Sequence, residues 1–157
     1  MSEGERRHRV RVAAAADCTA TGELLDAFNR EYGDETPGAT AIANRIAELM
    51  TSGDTAVLLA GDGPDGLAVL RFRANLWSQA AECYLAELYV TPPRRGCGLG
   101  RALMERTLSL ARERGCDRIE LGTSEDDVVA RKLYERMGFT NLERPGGPVM
   151  YVYERDL

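Results

Sequence analysis

Apolar and polar residues follow one another along this chain in blocks that predict an order of strands and helices. Val10, Val12 and Ala14 alternate with arginines, which is typical of a first strand. The next two blocks, about 17–28 and 40–50, carry their apolar residues at helical spacing, and a polar loop from Asn29 is expected between them. Three further apolar runs predict strands joined by turn-rich links, at 56–60, 67–72 and 82–90.

The second half of the chain continues with helices and strands in alternation. A long helix is predicted over about 98–114, and it separates two strands, which are therefore expected to be parallel. The strand at 117–121 precedes a helix that starts in the acidic residues 125–127 and ends at Gly138. The last two strands are predicted at 139–142 and 149–155. This order predicts one α/β domain over 9–157, with a mixed, mostly antiparallel sheet of about seven strands and about four helices, after a frayed segment, 1–8.

Composition narrows the class of protein. With 20 basic and 25 acidic residues among 157, the net charge is −5, which does not favour a nucleic-acid partner. No apolar run approaches membrane-spanning length, so no membrane partner is expected. The four cysteines form no C-x-x-C pair and the only histidine is His8, so no metal site is expected and free thiols in a cytoplasmic protein are predicted.

The stretch from Leu85 to Gly100 joins a strand to a helix through a glycine-rich basic loop. Gly96, Gly98 and Gly100 allow the backbone to approach a ligand closely. The first amides of a helix have no intrahelical acceptor and lie at the positive end of its dipole, so the pattern predicts a phosphate-binding turn. The loop has neither the Gly-Lys-Ser/Thr of triphosphate sites nor the G-x-G-x-x-G spacing of dinucleotide sites. The arginines of this turn are Arg94, Arg95 and Arg101.

Two motifs carry a resemblance to a known family. Arg95-x-x-Gly98-x-Gly100, after Val90-x-Pro92, is similar to the coenzyme A signature of the GNAT superfamily of N-acetyltransferases. The segment 130–139, ARKLYERMGF, resembles the A-x-x-L-Y-x-x-x-G-F segment of the same enzymes. Together the motifs cover about residues 85–142, and the predicted order of elements agrees with the acyl-CoA N-acyltransferase fold of that superfamily.

The resemblance implies an N-acetyltransferase that moves the acetyl group of acetyl-CoA to a primary amine by direct attack in a ternary complex. It implies that backbone amides of the glycine loop hold the pyrophosphate and that the strand before the loop holds the pantetheine arm. An N–H near Val90 would meet the thioester oxygen. The residues implied to bind acetyl-CoA are Leu88, Tyr89, Val90, Arg95, Gly96, Cys97, Gly98, Leu99, Gly100, Arg101, Ala130 and Arg131.

Two side chains are the candidates for proton transfer. The resemblance implies that Tyr134 protonates the departing thiolate; by helix periodicity alone it would be a core aromatic residue. An alkylamine is mostly ammonium at neutral pH and must lose a proton, and Glu87 lies in the strand beside the presumed thioester. Strict alternation places Glu87 and Val90 on opposite faces of that strand unless a bulge intervenes, and a solvated face is the alternative role for Glu87.

Several alternatives stay open at this point. The acceptor is a small amine, for which the acidic loop of Glu31, Asp34 and Glu35 offers attraction, or a protein or peptide amine. A non-catalytic acyl-CoA-binding module is the alternative outside enzymes. Cys97 is interpreted as a loop residue rather than a nucleophile, and Asp127 as part of a helix-start capping pattern with Ser124. The family pattern makes a homodimer plausible.

Overall fold

The computed structural model describes residues 8–157, so nearly all of the segment predicted as frayed, 1–8, lies outside the described residues. The described part contains five strands and four α-helices, in an α/β arrangement as predicted. The strands are β1 (Val10–Val12), β2 (Thr55–Ala60), β3 (Gly66–Ala74), β4 (Ala81–Val90) and β5 (Cys116–Leu121). The helices are α1 (Cys18–Tyr32), α2 (Ala39–Thr51), α3 (Leu99–Glu113) and α4 (Val128–Arg136).

The chain divides into two compact units, the first ending at Leu121 and the second comprising Gly122–Leu157. The first unit contains the whole sheet and helices α1 to α3. The second contains α4 and the C-terminal segment. That 9–157 behaves as a single domain stays a prediction.

The sheet of the first unit has the strand order β1-β2-β3-β4-β5. Neighbouring strands are antiparallel except β4 and β5, which are parallel because α3 crosses between them, as predicted. The sheet is therefore mixed and mostly antiparallel.

Helices cover both faces of this sheet. On one face, apolar side chains of β2 and β3 pack against α1 and α2 in a single buried cluster, which also contains Tyr89. The other face packs against α3, where Leu103 is fully buried and its Cδ1 atom lies 3.4 Å from the position a Cβ would take on Gly66. The leucine, isoleucine and valine members of the cluster against α1 and α2 are Leu24, Leu25, Ile46, Val57, Leu59, Leu67 and Val69.

The two strands predicted at the C-terminus are wrong, and the described residues have five strands instead of seven. Within the second unit, Leu142 and Val149 form only an isolated antiparallel bridge. The amide of Glu143 donates to the Pro148 carbonyl (2.9 Å), but Pro148 has no N–H with which to return the bond, so the ladder does not propagate there.

Two helix boundaries also differ from the prediction. Helix α1 continues through Asn29 to Tyr32, so the polar loop starts only at Gly33, which ends the helix in a left-handed conformation. Helix α4 starts at Val128 rather than in the acidic residues before it, because the Asp127 carboxylate caps it by accepting from the Ala130 amide at 3.1 Å.

Candidate functional site

Strand β4 is paired on both sides over only half its length. Its first half, Ala81–Leu85, pairs with β5 on one edge, and no strand among residues 8–157 pairs with that edge from Ala86 to Val90. At the same point the register with β3 shifts, since Leu70 opposes Leu85 while Val69 opposes Glu87. The extra residue, Ala86, is a β-bulge that sequence reasoning did not locate.

The open edge of β4 presents backbone donors. Beyond the strand end, the Thr91 amide donates to the Asp65 carbonyl at 2.9 Å, which fixes which backbone groups face β3. Because these groups alternate along an antiparallel pair, the N–H groups of Leu88 and Val90 face the open edge. The structure thus leaves two free-edge amides on the residues that the resemblance assigned to pantetheine and thioester.

The glycine loop follows directly and ends in the N-terminus of α3. Gly96 and Gly98 have φ of +74° and +88°, conformations that L side chains rarely adopt. The first intrahelical bond joins the Ala102 amide to the Gly98 carbonyl (3.0 Å), and no side chain caps the helix. The amides of Leu99, Gly100 and Arg101 therefore have no intrahelical acceptor, and they suit an anion.

Each arginine of the loop has a carboxylate partner. Arg94 lies 3.4 Å from Asp65, Arg95 lies 2.6 Å from Glu31, and Arg101 lies 2.8 Å from Glu105. The arginine charges are thereby largely balanced within the first unit. The capacity of the turn for an anion then rests mainly on its backbone amides and the dipole of α3.

Arg95 joins three elements of the first unit. Its Nε donates to the Val90 carbonyl at 3.0 Å, its guanidinium forms an ion pair with Glu31, and it lies over the ring of Tyr89 at 5.7 Å. The Tyr89 hydroxyl also donates to Glu31 at 3.0 Å, and the Arg95 hydrogen bond lowers the pKa of Glu31. The Glu31 carboxylate is thus occupied by Arg95 and Tyr89. It is therefore not free to attract a cationic acceptor, which had been the expectation for the acidic loop.

Glu87 lines a cavity of about 250 Å³ between α1, α2 and the sheet. The bulge allows Ala86 and Glu87, although adjacent in sequence, both to line this cavity. Because the register shift precedes Glu87, Glu87 and Val90 stay on opposite faces of β4. Burial raises the pKa of Glu87, which makes no hydrogen bond or ion pair within residues 8–157.

The remaining lining combines apolar walls with two polar residues that the sequence reasoning missed. Arg71 alternates with Val69 along β3 and so lies on the same face of the sheet as the cavity. The sequence held one signal for Arg71: by strand alternation it occupies a position of β3 that should face the core. Asn29 is the second, and it was missed because α1 was predicted to end before it. The apolar walls are Leu25, Ile42, Ile46, Leu49, Val69 and Ala86.

The second unit carries the other predicted residues, on α4. Tyr134 is 8% exposed, and burial, with a smaller contribution from Asp127, raises its pKa to about 12. Its ring meets that of Phe139 edge to face, with centroids 6.1 Å apart. The Ala130 amide donates to the Asp127 cap, and Arg131 donates to the Glu125 carbonyl at 3.0 Å. The coenzyme contacts of Ala130 and Arg131 stay predictions.

The histidine bonds the protein backbone, and the cysteines form no disulfide within the described residues. His8 Nε2 donates to the backbone carbonyl of Cys97, not to its thiol, so it places a ring beside the glycine loop that the sequence did not foresee. All four cysteines are free, and Cys97 is exposed. Within the described range, no helix is long and apolar enough to cross a membrane, and no cluster of three or more His, Cys, Asp or Glu side chains forms a metal-binding group.

Several proteins of known sequence or structure are similar to this chain. The chain is similar to a provisionally named acetyltransferase from Arthrobacter sp. FB24, whose crystal structure matches with a TM-score of 0.88 and 43% identity, over 95% of this chain and 96% of that one. It is 39% identical to the mycothiol acetyltransferase of Beutenbergia cavernae over 100 residues, which are 61% of this chain and 32% of that protein.

The aminoglycoside N(6')-acetyltransferase type 1 of Stenotrophomonas maltophilia is 28% identical over 86% of this chain and 88% of its own length. The chain spans only about a quarter to a third of the length of the mycothiol acetyltransferases of Beutenbergia cavernae, Kineococcus radiotolerans and Thermobispora bispora. The model of the acetyltransferase (GNAT) family matches residues 22–139, which are three quarters of the chain. With the fold shared along nearly the whole Arthrobacter structure, this match shows that the chain belongs to the acetyltransferase (GNAT) family.

Proposed function

We propose that this chain transfers the acetyl group of acetyl-CoA to the primary amine of a small molecule, by direct attack while both substrates are bound. The observation that carries the proposal is Glu87: a carboxylate without a partner in the described chain, with a raised pKa, in a cavity beside the free-edge amides of β4. The names of two family relatives, mycothiol acetyltransferase and aminoglycoside N(6')-acetyltransferase type 1, support a small-molecule acceptor.

The first unit provides the donor side of this reaction. The unpaired amides at the start of α3 suit the pyrophosphate, and the open edge of β4 suits the amide groups of the pantetheine arm. The N–H of Val90 would stabilise the negative charge that develops on the thioester oxygen. A fixed backbone donor is suited to that role because it needs no reorganisation during the reaction.

Glu87 acts as the base for the acceptor. An alkylamine with a pKa of ~10 arrives as an ammonium ion, which a carboxylate attracts and whose proton it can accept, directly or through water. Burial raises the pKa of Glu87 and so makes it a stronger base than an exposed glutamate. The absence of a competing ion pair within the described residues leaves the carboxylate available for the ammonium.

Tyr134 acts as the acid that protonates the departing thiolate. This role rests on the ARKLYERMGF motif and on the protonation state of the residue. Because the pKa of Tyr134 is raised to about 12, its hydroxyl holds its proton at neutral pH, as a proton donor must. The hydroxyl donates to the sulfur as negative charge develops there; because the thiol that forms has a pKa of ~8.5, below that of the phenol, full transfer is uphill and is completed when the tyrosinate regains a proton from water.

The proposal is tested by thiol release from acetyl-CoA across aminoglycosides, polyamines, amino acids and short peptides, with a blank that lacks acceptor. We expect release that depends on a small amine, and a loss of about 10²–10⁴-fold in kcat/KM in Glu87→Gln. The matched control is Glu23→Gln, which removes an exposed carboxylate of α1 outside the cavity and should leave kcat/KM unchanged.

Three results would count against the proposal or a part of it. If coenzyme A binds by calorimetry but no acceptor raises thiol release above the blank, the chain is a binding module and not an enzyme. If only peptides are acetylated, the acceptor class is wrong. Equal kcat/KM in Glu87→Gln and the wild type would remove the base role while leaving the transfer itself in place.

A further inference from the structure

We infer that the cavity beside Glu87 takes an aminocarboxylate, an acceptor whose amine lies against Glu87 and whose carboxylate is bound by Arg71. This inference rests on the proposed function and narrows its acceptor class. It excludes simple polyamines as preferred acceptors, because a second cation would face a guanidinium.

Arg71 has hydrogen-bonding capacity that the chain itself does not use. Its Nε is buried, and within the described residues no acceptor bonds it. Its terminal nitrogen lies 3.9 Å from the Asp54 carboxylate, which is beyond hydrogen-bonding distance. Asp54 is meanwhile bonded by the hydroxyls of Ser52 and Thr55, at 2.6 and 3.0 Å. The Arg71 side chain as a whole is 40% exposed, so a ligand carboxylate would bind its terminal nitrogens, in the planar geometry that guanidinium prefers, rather than the enclosed Nε.

The positions of the two charges set the shape of the acceptor. Val69 opposes Glu87 across the sheet, and Arg71 lies two residues further along β3 on the same face. At about 3.4 Å per residue, the two side chains start about 7 Å apart along the strand. An amine and a carboxylate joined by a short carbon chain span such a separation. One negative and one positive residue also match a ligand that carries one charge of each sign.

The size and walls of the cavity agree with this ligand. Its volume of about 250 Å³ lies below the ~300–1,000 Å³ typical of sites for drug-sized molecules, so it suits a small acceptor. Ile42, Ile46 and Leu49 of α2 form an apolar wall against which the carbon chain of the ligand can pack. No charged residue other than Glu87 and Arg71 lines the cavity within the described chain.

The test compares acetylation of ω-amino acids of increasing length with that of alkylamines and diamines of the same length, followed as thiol release. For the wild type we expect a kcat/KM at least about tenfold higher for the best amino acid than for its matched alkylamine, since a charge-assisted hydrogen bond is at stake. Arg71→Gln should raise KM for the amino acid about ten- to a hundredfold and leave the alkylamine within about twofold. Arg71→Lys, which keeps the charge without the planar fork, should lose less.

Arg73→Gln is the matched control, because Arg73 follows on the same face of β3 but lies outside the cavity and pairs with Glu82 at 2.7 Å. It should leave the preference for a carboxylate intact. Equal rates for amino acids and alkylamines, or an equal loss for both in Arg71→Gln, would overturn the inference while the proposed function stands. An absence of release with every amine would instead refute the proposed function. Thermal unfolding of each variant verifies that it is folded.

Discussion

Replacing Gly96 with alanine tests whether the loop before α3 binds the phosphates of acetyl-CoA. Gly96 lies in this loop with φ of +74°, and nothing lies within 4 Å of the position a Cβ would take. The methyl group of alanine therefore fits in space, and the whole penalty comes from the left-handed conformation. That penalty is about 1–2 kcal/mol for an L residue.

The chain offers a control with the same strain. Gly115 follows the other end of α3 with φ of +72°, and it has equally open surroundings. Gly96→Ala and Gly115→Ala should therefore both lower the free energy of unfolding by about 1–2 kcal/mol, or the midpoint by about 2–8 °C for a chain of this size. Only Gly96→Ala disturbs the amides that we assign to the pyrophosphate.

The assay is calorimetric binding of acetyl-CoA beside the KM for acetyl-CoA. Loss of one amide contact to a charged phosphate is worth about 1.5–3 kcal/mol, so Gly96→Ala should weaken binding by about ten- to a hundredfold. Gly115→Ala should bind as the wild type does. Equal affinities in the two variants, after equal losses of stability, would refute the assignment of this loop to the phosphates.

Three further predictions each concern a single residue. Burial raises the pKa of Glu87, so folding disfavours its ionised form. The protonated residue is tolerated below the unfolded pKa of ~4.3, and this stability is lost as pH rises through the higher folded pKa. Glu87→Gln should therefore raise the thermal unfolding midpoint at pH ~7 but not at pH ~3. A lower midpoint at neutral pH would contradict the desolvation of Glu87. Tyr134→Phe should lower kcat by about 10²–10⁴-fold with little change in acetyl-CoA affinity by calorimetry, and an unchanged kcat would remove the acid role. Gly22→Ala would bring a Cβ within 2.3 Å of the Ala39 carbonyl oxygen, where α1 and α2 meet, and should cost about 1–3 kcal/mol in chemical denaturation; an unchanged midpoint would mean that the helices separate freely.

The stretch from β4 to β5 was predictable because its signals are local. An apolar strand, the Pro92-Pro93 break, closely spaced glycines and a helical pattern follow one another in sequence, and each acts on its own neighbours. The parallel pairing of β4 and β5 then follows from the helix between them. The same logic failed at the C-terminus, because alternation at 149–155 describes a possible strand but does not provide a partner for it.

The cavity needed the structure, because its parts come from distant segments. The bulge at Ala86 has no signature in the run of apolar residues around it, yet it sets which residues of β4 line the cavity. The ion pair of Glu31 with Arg95 joins residues 64 positions apart, and no local sequence pattern predicts it. Arg71 was visible as a charge within an apolar strand, but only the fold places it on the same face as Glu87.

The most direct test of the central claim is mass spectrometry of a small amine after incubation with acetyl-CoA and the protein. Wild-type protein and Glu23→Gln should convert the amine to its N-acetyl product with an equal amount of free coenzyme A, and Glu87→Gln should convert far less in the same time. Acetylated amine at the level of the protein-free blank, from protein that binds coenzyme A by calorimetry, would contradict the claim that this chain is an acetyltransferase.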